Sequence, residues 1–235
     1  MSASGSFVSV ENEQKVYAIG DIHGCINTLK ALLDQIDYKG QSPLFLLGDY
    51  VNKGPSSVDT LNFIIDLKSR FPKVFPLAGN HDQYLLSFLT RDDDDWLDSS
   101  EYANMKRYEE YQTISADEKR LFVDFLLTLP LYYETETTFF VHAGFNFESK
   151  SIFDDTSAMI NTRAFHYDAR KASNKRLVHG HLPVELAIMK KRIEREFPVI
   201  PLDNGCVYSG ERKDMGSLCC LELNKMKLFT QPRID

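Results

Sequence analysis

Between residues 16 and 90, three short apolar runs alternate with three stretches of helical apolar spacing. The runs are residues 16–19, 44–47 and 74–77. Residues 28–36 place Leu29, Leu32, Leu33 and Ile36 on one helical face, and residues 56–68 supply Val58, Leu61, Ile64, Ile65 and Leu67 in the same way. A third helix runs through residues 84–89. A strand–helix order repeated three times predicts a parallel sheet with right-handed crossovers, because a parallel neighbour is reached only by a long return.

The rhythm breaks at residues 91–130. This stretch holds the acidic run Asp92, Asp93, Asp94 and Asp95, the only tryptophan (Trp96), helical patterns at 102–111 and 117–127, and then Pro130. It reads as a helical insertion over the loop end of the sheet, and the acidic run as a solvated loop. Beyond it the texture turns β-rich, with strands expected at 131–134, 139–141, 177–178, 186–189, 199–202 and 218–223. No repeat or linker divides the chain, so residues 16–235 are expected to form one domain after a flexible N-terminus of residues 1–15.

At 235 residues such a domain buries roughly 70–75% of the surface its unfolded chain exposes, and needs no disulfides. Cys25 and Cys206 are isolated, Cys219 and Cys220 are adjacent, and no Cys-x-x-Cys pattern is present, which points to buried free thiols in a reducing compartment. The first fifteen residues lack the basic start and apolar core of a signal peptide, and no run approaches a membrane span of roughly 20 apolar residues. The expectation is a soluble, cytoplasmic protein with no membrane partner. A formal net charge of −7 argues against broad nucleic-acid binding.

Ligands of a parallel α/β sheet bind outside the carboxyl ends of its strands. That is where this sequence concentrates its reactive side chains. "YAIGDIHG" supplies Asp21 and His23, "LFLLGDYVNKG" Asp49, "FPLAGNHD" Asn80 and His81, "FFVHAG" His142, and "LVHGHLP" His179 and His181. Five of the six histidines lie at strand ends within two residues of a glycine; His166 alone does not and reads as a surface residue. Imidazole with carboxylate and amide oxygen suits manganese, iron or zinc. The donors outnumber the needs of one ion, so two divalent ions sharing a carboxylate is the economical arrangement.

These motifs, in this order, resemble those of the calcineurin-like metallophosphoesterases, most closely the bacterial and phage branch of phosphoprotein phosphatases, which also includes diadenosine tetraphosphate hydrolases. The resemblance runs from residue 17 to about 210, where "IPLDNGCVYSG" is similar to that branch's strand–turn motif. It implies an α/β (α+β) fold in four layers, with a two-sheet β-sandwich flanked by helices. It also implies two metal ions, Asp21 and His23 on the first, Asn80, His142 and His181 on the second, and Asp49 bridging both. His81 matches the general acid. Arg163 in "MINTRAF" resembles the arginine that grips the phosphate, together with Asn80 and residue 53, and His179 is expected to support the ligands from behind.

The chain departs from the family pattern Gly-Asp-x-Val-Asp-Arg-Gly at two places, Asn52 for the second Asp and Lys53 for the Arg. The Asp orients the general-acid histidine and favours its charged form. Asn52 is expected to accept the His81 ring N–H while adding no negative charge. Lys53 offers phosphate a point charge in place of a planar fork. The reading from sequence is a phosphomonoester hydrolase, first of all a serine/threonine protein phosphatase, acting through a metal-bound hydroxide. His23 favours this over a dinucleoside polyphosphate hydrolase, since branch members of that kind often carry Gln there. The alternatives are that hydrolase, or an impaired phosphate-binding protein on account of Asn52 and Lys53. Substrates would be a phosphorylated protein or a small phosphoester, with manganese the first choice of metal and iron and zinc the others.

Overall fold

The computed structural model describes residues 5–11, 14–90 and 108–235. The acidic run and Trp96 lie outside the described residues. After β1 (Gly5–Phe7), the first part follows the expected order: β2 (Tyr17–Ile19), α1 (Ile26–Gln35), β3 (Leu44–Leu46), α2 (Ser57–Arg70), β4 (Val74–Pro76) and α3 (Asn80–Thr90). Two helices follow, α4 (Tyr108–Gln112) and α5 (Ala116–Thr128), then β5 (Tyr132–Glu134), β6 (Thr138–Val141), α6 (Thr156–Asn161), β7 (Arg176–His179) and α7 (Leu186–Glu194). The chain continues with β8 (Val199–Pro201), a short 3₁₀ turn (Cys206–Tyr208), β9 (Ser217–Glu222) and β10 (Lys227–Pro232).

The strands form two five-stranded sheets, β10-β9-β2-β3-β4 and β1-β5-β6-β7-β8. Strands β2, β3 and β4 are parallel, with Tyr17 opposite Leu44 and Leu44 opposite Val74. Strand side chains alternate between faces, and the core follows that period of two. Ala18, Phe45 and Leu47 point into a core shared with Phe140, Val178 and Ile200 of the other sheet. There the Phe45 and Phe140 rings stack with centroids 3.8 Å apart, closing the sandwich. Tyr17, Ile19, Leu44 and Leu46 point outward beneath Leu29 and Leu32 of α1 and Leu61 and Ile64 of α2. Phe139, Val141 and Leu177 point out of the opposite sheet against Phe145, Ile152 and Met159. The result is the four-layer α/β arrangement of two sheets flanked by helices.

Three segments differ from the sequence reading. Residues 186–189, expected as a strand, open helix α7, where Met189 and Ile193 are buried four residues apart while Ile188 is exposed. A four-residue apolar run has no period of its own, and the basic residues after it decide the face. Gly5–Phe7, placed in a flexible N-terminus, pairs in parallel with Tyr132–Glu134 as an edge strand. Lys227–Pro232, given no structure, pairs antiparallel with β9 and closes the other sheet. Cys25 and Cys206, isolated in sequence, meet in the core, where the Cys25 thiol beside Cys206 and burial push the Cys206 thiol up.

Candidate metal centre and active site

The loops after β2, β3, β4, β6 and β7 bring their polar residues to one rim. His23 donates from Nδ1 to the Val51 carbonyl across 2.9 Å, and His142 from Nδ1 to the Leu47 carbonyl across 2.8 Å. A carbonyl only accepts, so in both neutral rings Nε2 is the acceptor nitrogen. Asp49 lies between them, with Oδ2 3.5 Å from His23 Nε2 and Oδ1 3.5 Å from His142 Nε2. Asn80 Oδ1 stands 3.1 Å from His142 Nε2 and 3.0 Å from His181 Nδ1. Asp21 lies 3.9 Å from His23 Nε2, and both its oxygens accept from the His181 amide. Two groups of donors converge on Asp49: His23 with His81, and His142 with His181.

The backbone that delivers them is unusual. His23, Asp49, Asn52, Lys53 and His181 all adopt positive φ, between 48° and 69°. Non-glycine residues rarely do so, and such strain gathers at functional sites. A methyl group on Gly79 would fall on the Asp49 carboxylate, and one on Gly180 on Asp21 Oδ1. Asp82, buried at the start of α3, accepts from the amides of Asp49, Tyr50 and Gly79 at 2.7, 2.9 and 2.9 Å. It thereby fixes the loops carrying Asp49 and Asn80 to each other.

Burial pushes His142 and His181 down to about 4, and His23 well below the usual imidazole range, so these rings are neutral near neutral pH, the form that can ligate a metal. Burial, with Asp203 and Asp49 nearby, holds the Asp21 carboxyl well above its ordinary range. His181 Nε2 is buried with no hydrogen-bond partner. Carboxylate, amide and imidazole acceptors converging in one buried place, with the His23 and His142 rings anchored through Nδ1, are the chemistry of a cation site. The residues fit a pair of divalent ions.

His81 is held differently. Asn52 donates an amide hydrogen to His81 Nδ1 across 3.1 Å, and the Tyr111 hydroxyl donates to Asn52 Oδ1 across 3.2 Å. The amide therefore gives a hydrogen where the sequence reading had it accept one. Burial pushes His81 down to about 4. The neutral ring carries its hydrogen on Nε2 and presents a hydrogen-bond donor, which argues against ligation through that atom. Lys53 Nζ lies 3.0 Å from His23 Nε2, so its ammonium stands among the ligand set as well as beside any phosphate.

A cleft of about 560 Å³ over Asp49, Asn80 and His81 is lined by three cations, Lys53, Arg163 and Arg212, and by one further carboxylate, Glu211. Arg163 lies beyond the end of α6 and is exposed. Arg212, which the sequence did not single out, lies over the Tyr208 ring at 4.1 Å. His179 is buried behind the rim, with Nδ1 donating to the Gly180 carbonyl across 3.0 Å, and belongs to neither donor group. His166 is exposed, as expected. The sequence reading also missed Asp82 and Tyr111. "GNHD" displayed the first, but nothing marked the second.

The model of the calcineurin-like phosphoesterase family matches residues 14–227. The chain belongs to that family. Metallophosphoesterases of this family depend on a dinuclear metal centre, and this chain has candidate metal-binding residues for one. Among curated proteins it is 35% identical over 131 residues to the symmetrical bis(5'-nucleosyl)-tetraphosphatase of Aromatoleum aromaticum, covering 55% of this chain and 44% of that one. The chain thus spans under half the length of this relative. A solved structure provisionally described as a diadenosine tetraphosphatase matches with TM-score 0.65 and 23% identity, over 96% of this chain and 97% of that one. A serine/threonine phosphatase of Saccharomyces cerevisiae matches with TM-score 0.69 and 14% identity, over 100% and 84%. These two likenesses show the fold. No described helix is long and apolar enough to cross a membrane.

Proposed function

We propose that the chain hydrolyses nucleotide phosphoanhydrides, dinucleoside tetraphosphates foremost, at their centre to give two nucleoside diphosphates. The observation that carries this reading is the Asn52 amide donating to His81 Nδ1. A histidine held neutral gives a leaving oxygen a hydrogen bond and no charge-driven proton. A serine alkoxide needs that proton, and general acid catalysis is worth about 10²–10⁴ in rate. A departing diphosphate does not, because the second ionisation of a phosphate monoester lies near about 6. The three cations of the cleft fit a polyanionic chain better than a single phosphate. The tetraphosphatase names of the curated relatives agree. Serine/threonine phosphatase activity, placed first from the sequence, thus becomes the second choice.

In this reading Asp21 and His23 would hold one ion, Asn80, His142 and His181 the other, and Asp49 would serve both. When bound, the ions supply Lewis-acid charge and acidify water. Lys53, Arg163 and Arg212 hold and neutralise the phosphate chain. His81 Nε2–H donates to the bridging oxygen as its bond to phosphorus breaks and water oxygen takes that place. Manganese is the first candidate metal, with iron and zinc as alternatives. Four buried free thiols fit the cytoplasm. The test is turnover with Mn²⁺ on bis(adenosine) tetraphosphate, p-nitrophenyl phosphate and a phosphoserine peptide. The reading requires the dinucleotide to be cleaved and the peptide to be the poorest of the three.

A further inference from the structure

Beside the metal cleft, and sharing Arg163 and Leu182 with it, lies a second cleft of about 500 Å³. Phe165, Tyr167, Ile188 and Phe197 line it. Ile188 is 46% exposed and Phe197 41%, two of only six large apolar side chains exposed among the described residues. Apolar surface left open beside a catalytic cleft marks a binding site more often than an accident of folding. The Arg192 guanidinium lies over the Phe197 ring at 5.6 Å and extends the flat surface.

His179, itself 8% exposed, forms part of the lining. Its ring meets Phe165 edge-on, with centroids 5.6 Å apart. Its Nδ1 donates to the Gly180 carbonyl, so Nε2 of the neutral ring is an acceptor, and no described residue bonds it. A ring acceptor in the cleft lining offers a partner to an N–H of whatever ligand lies there. The lining thus asks for a flat, apolar ring with an N–H on its edge. A nucleobase with an exocyclic amino group has both, and bases stack on aromatic side chains whatever their sequence.

We propose that this cleft binds the base of the nucleotide substrate, an aminopurine by preference. Arg163 at the junction takes the phosphates nearest that base, and the next phosphate reaches the cleft over Asp49 and His81. The proposal rests on the nucleotide reading above and assigns to that substrate a recognition site outside the metal centre. It also gives His179 a role distinct from supporting the ligands.

The test uses the full chain with Mn²⁺, and the variants Phe197→Ala and Ile188→Ala, whose exposed positions leave the core intact. Kinetics are measured on bis(adenosine) tetraphosphate and on p-nitrophenyl phosphate, which has no nucleoside. The expected result is a fall of about tenfold in the ratio of kcat/KM for the dinucleotide to that for p-nitrophenyl phosphate, carried by KM. An unchanged ratio in both variants, with the wild type active on the dinucleotide, overturns the base site and leaves the nucleotide reading standing. A wild type active on p-nitrophenyl phosphate and inert on the dinucleotide overturns both. A selective loss on an aromatic phosphopeptide instead would give the cleft to a peptide side chain and also overturn the proposal.

Discussion

Asn52 donates its amide hydrogen to His81 Nδ1 across 3.1 Å, at the place where the family pattern has a carboxylate. A carboxylate could only accept, and would hold a hydrogen on Nδ1 and favour the charged ring. Asn52→Asp is therefore expected to raise turnover of a phosphoserine peptide about tenfold or more, within the range general acid catalysis covers. Turnover of bis(adenosine) tetraphosphate should change far less, since its leaving group needs no proton. Equal gains on both substrates would show that residue 52 acts through something other than leaving-group protonation.

The orientation of that amide depends on Tyr111, whose buried hydroxyl donates to Asn52 Oδ1. Tyr111→Phe removes the donor and leaves the amide oxygen without it, at a cost of about 1–3 kcal/mol for an unsatisfied buried polar group. Urea unfolding of the metal-loaded variant should report a loss of that size. A variant as stable as the wild type would contradict the bond.

Asp49 faces both donor groups, one oxygen toward each. Metal analysis after Mn²⁺ loading and desalting should find two equivalents per chain, as the donor count requires. Asp49→Asn should lose most of both. Gly79→Ala should do the same without touching a ligand, because its methyl group displaces the Asp49 carboxylate. One equivalent in wild type and variants alike would refute a shared carboxylate.

The metal-free protein should lose stability on acidification. His81, His142, His179 and His181 titrate at about 4 in the fold, and His23 is also lowered. Their unfolded value lies near about 6.5, so between these values the unfolded chain binds their protons and the folded chain does not. Their contribution is present above that unfolded value and is lost as pH falls toward the folded one. Asp21, Asp82 and Asp203 have raised folded values and act in the opposite sense, Asp203 at about 6. The five imidazoles outnumber the three carboxyls, so the urea midpoint of chelator-treated protein should fall between about pH 6.5 and about pH 5. A midpoint that rises over this interval would mean the carboxyls dominate.

Much of this site could be read in the sequence because its candidate ligands follow apolar runs directly and sit against glycines. Asp21, Asp49 and His142 are fixed to strand ends, so the order of motifs gives their convergence. Tyr111 reaches Asn52, and Arg212 the cleft, from outside those motifs. Tyr111 lies 59 residues from Asn52, and only the packing of α4 brings the two together. The sense of the Asn52–His81 bond depends on that tyrosine, so residues 48–55 alone could not supply it. In the fold, the helix at 186–194 was missed because its first four residues are apolar without a period. The β10 strand was missed because its burial does not alternate: four half-buried residues lie between exposed ends.

The most direct test is product analysis of bis(adenosine) tetraphosphate incubated with the Mn²⁺-loaded protein, beside phosphate release from a phosphoserine peptide. The account predicts ADP as the only nucleotide product. It also predicts a kcat/KM for the dinucleotide about 10²-fold or more above that for the peptide, the penalty for lacking a charged general acid. Faster cleavage of the peptide than of the dinucleotide would contradict it.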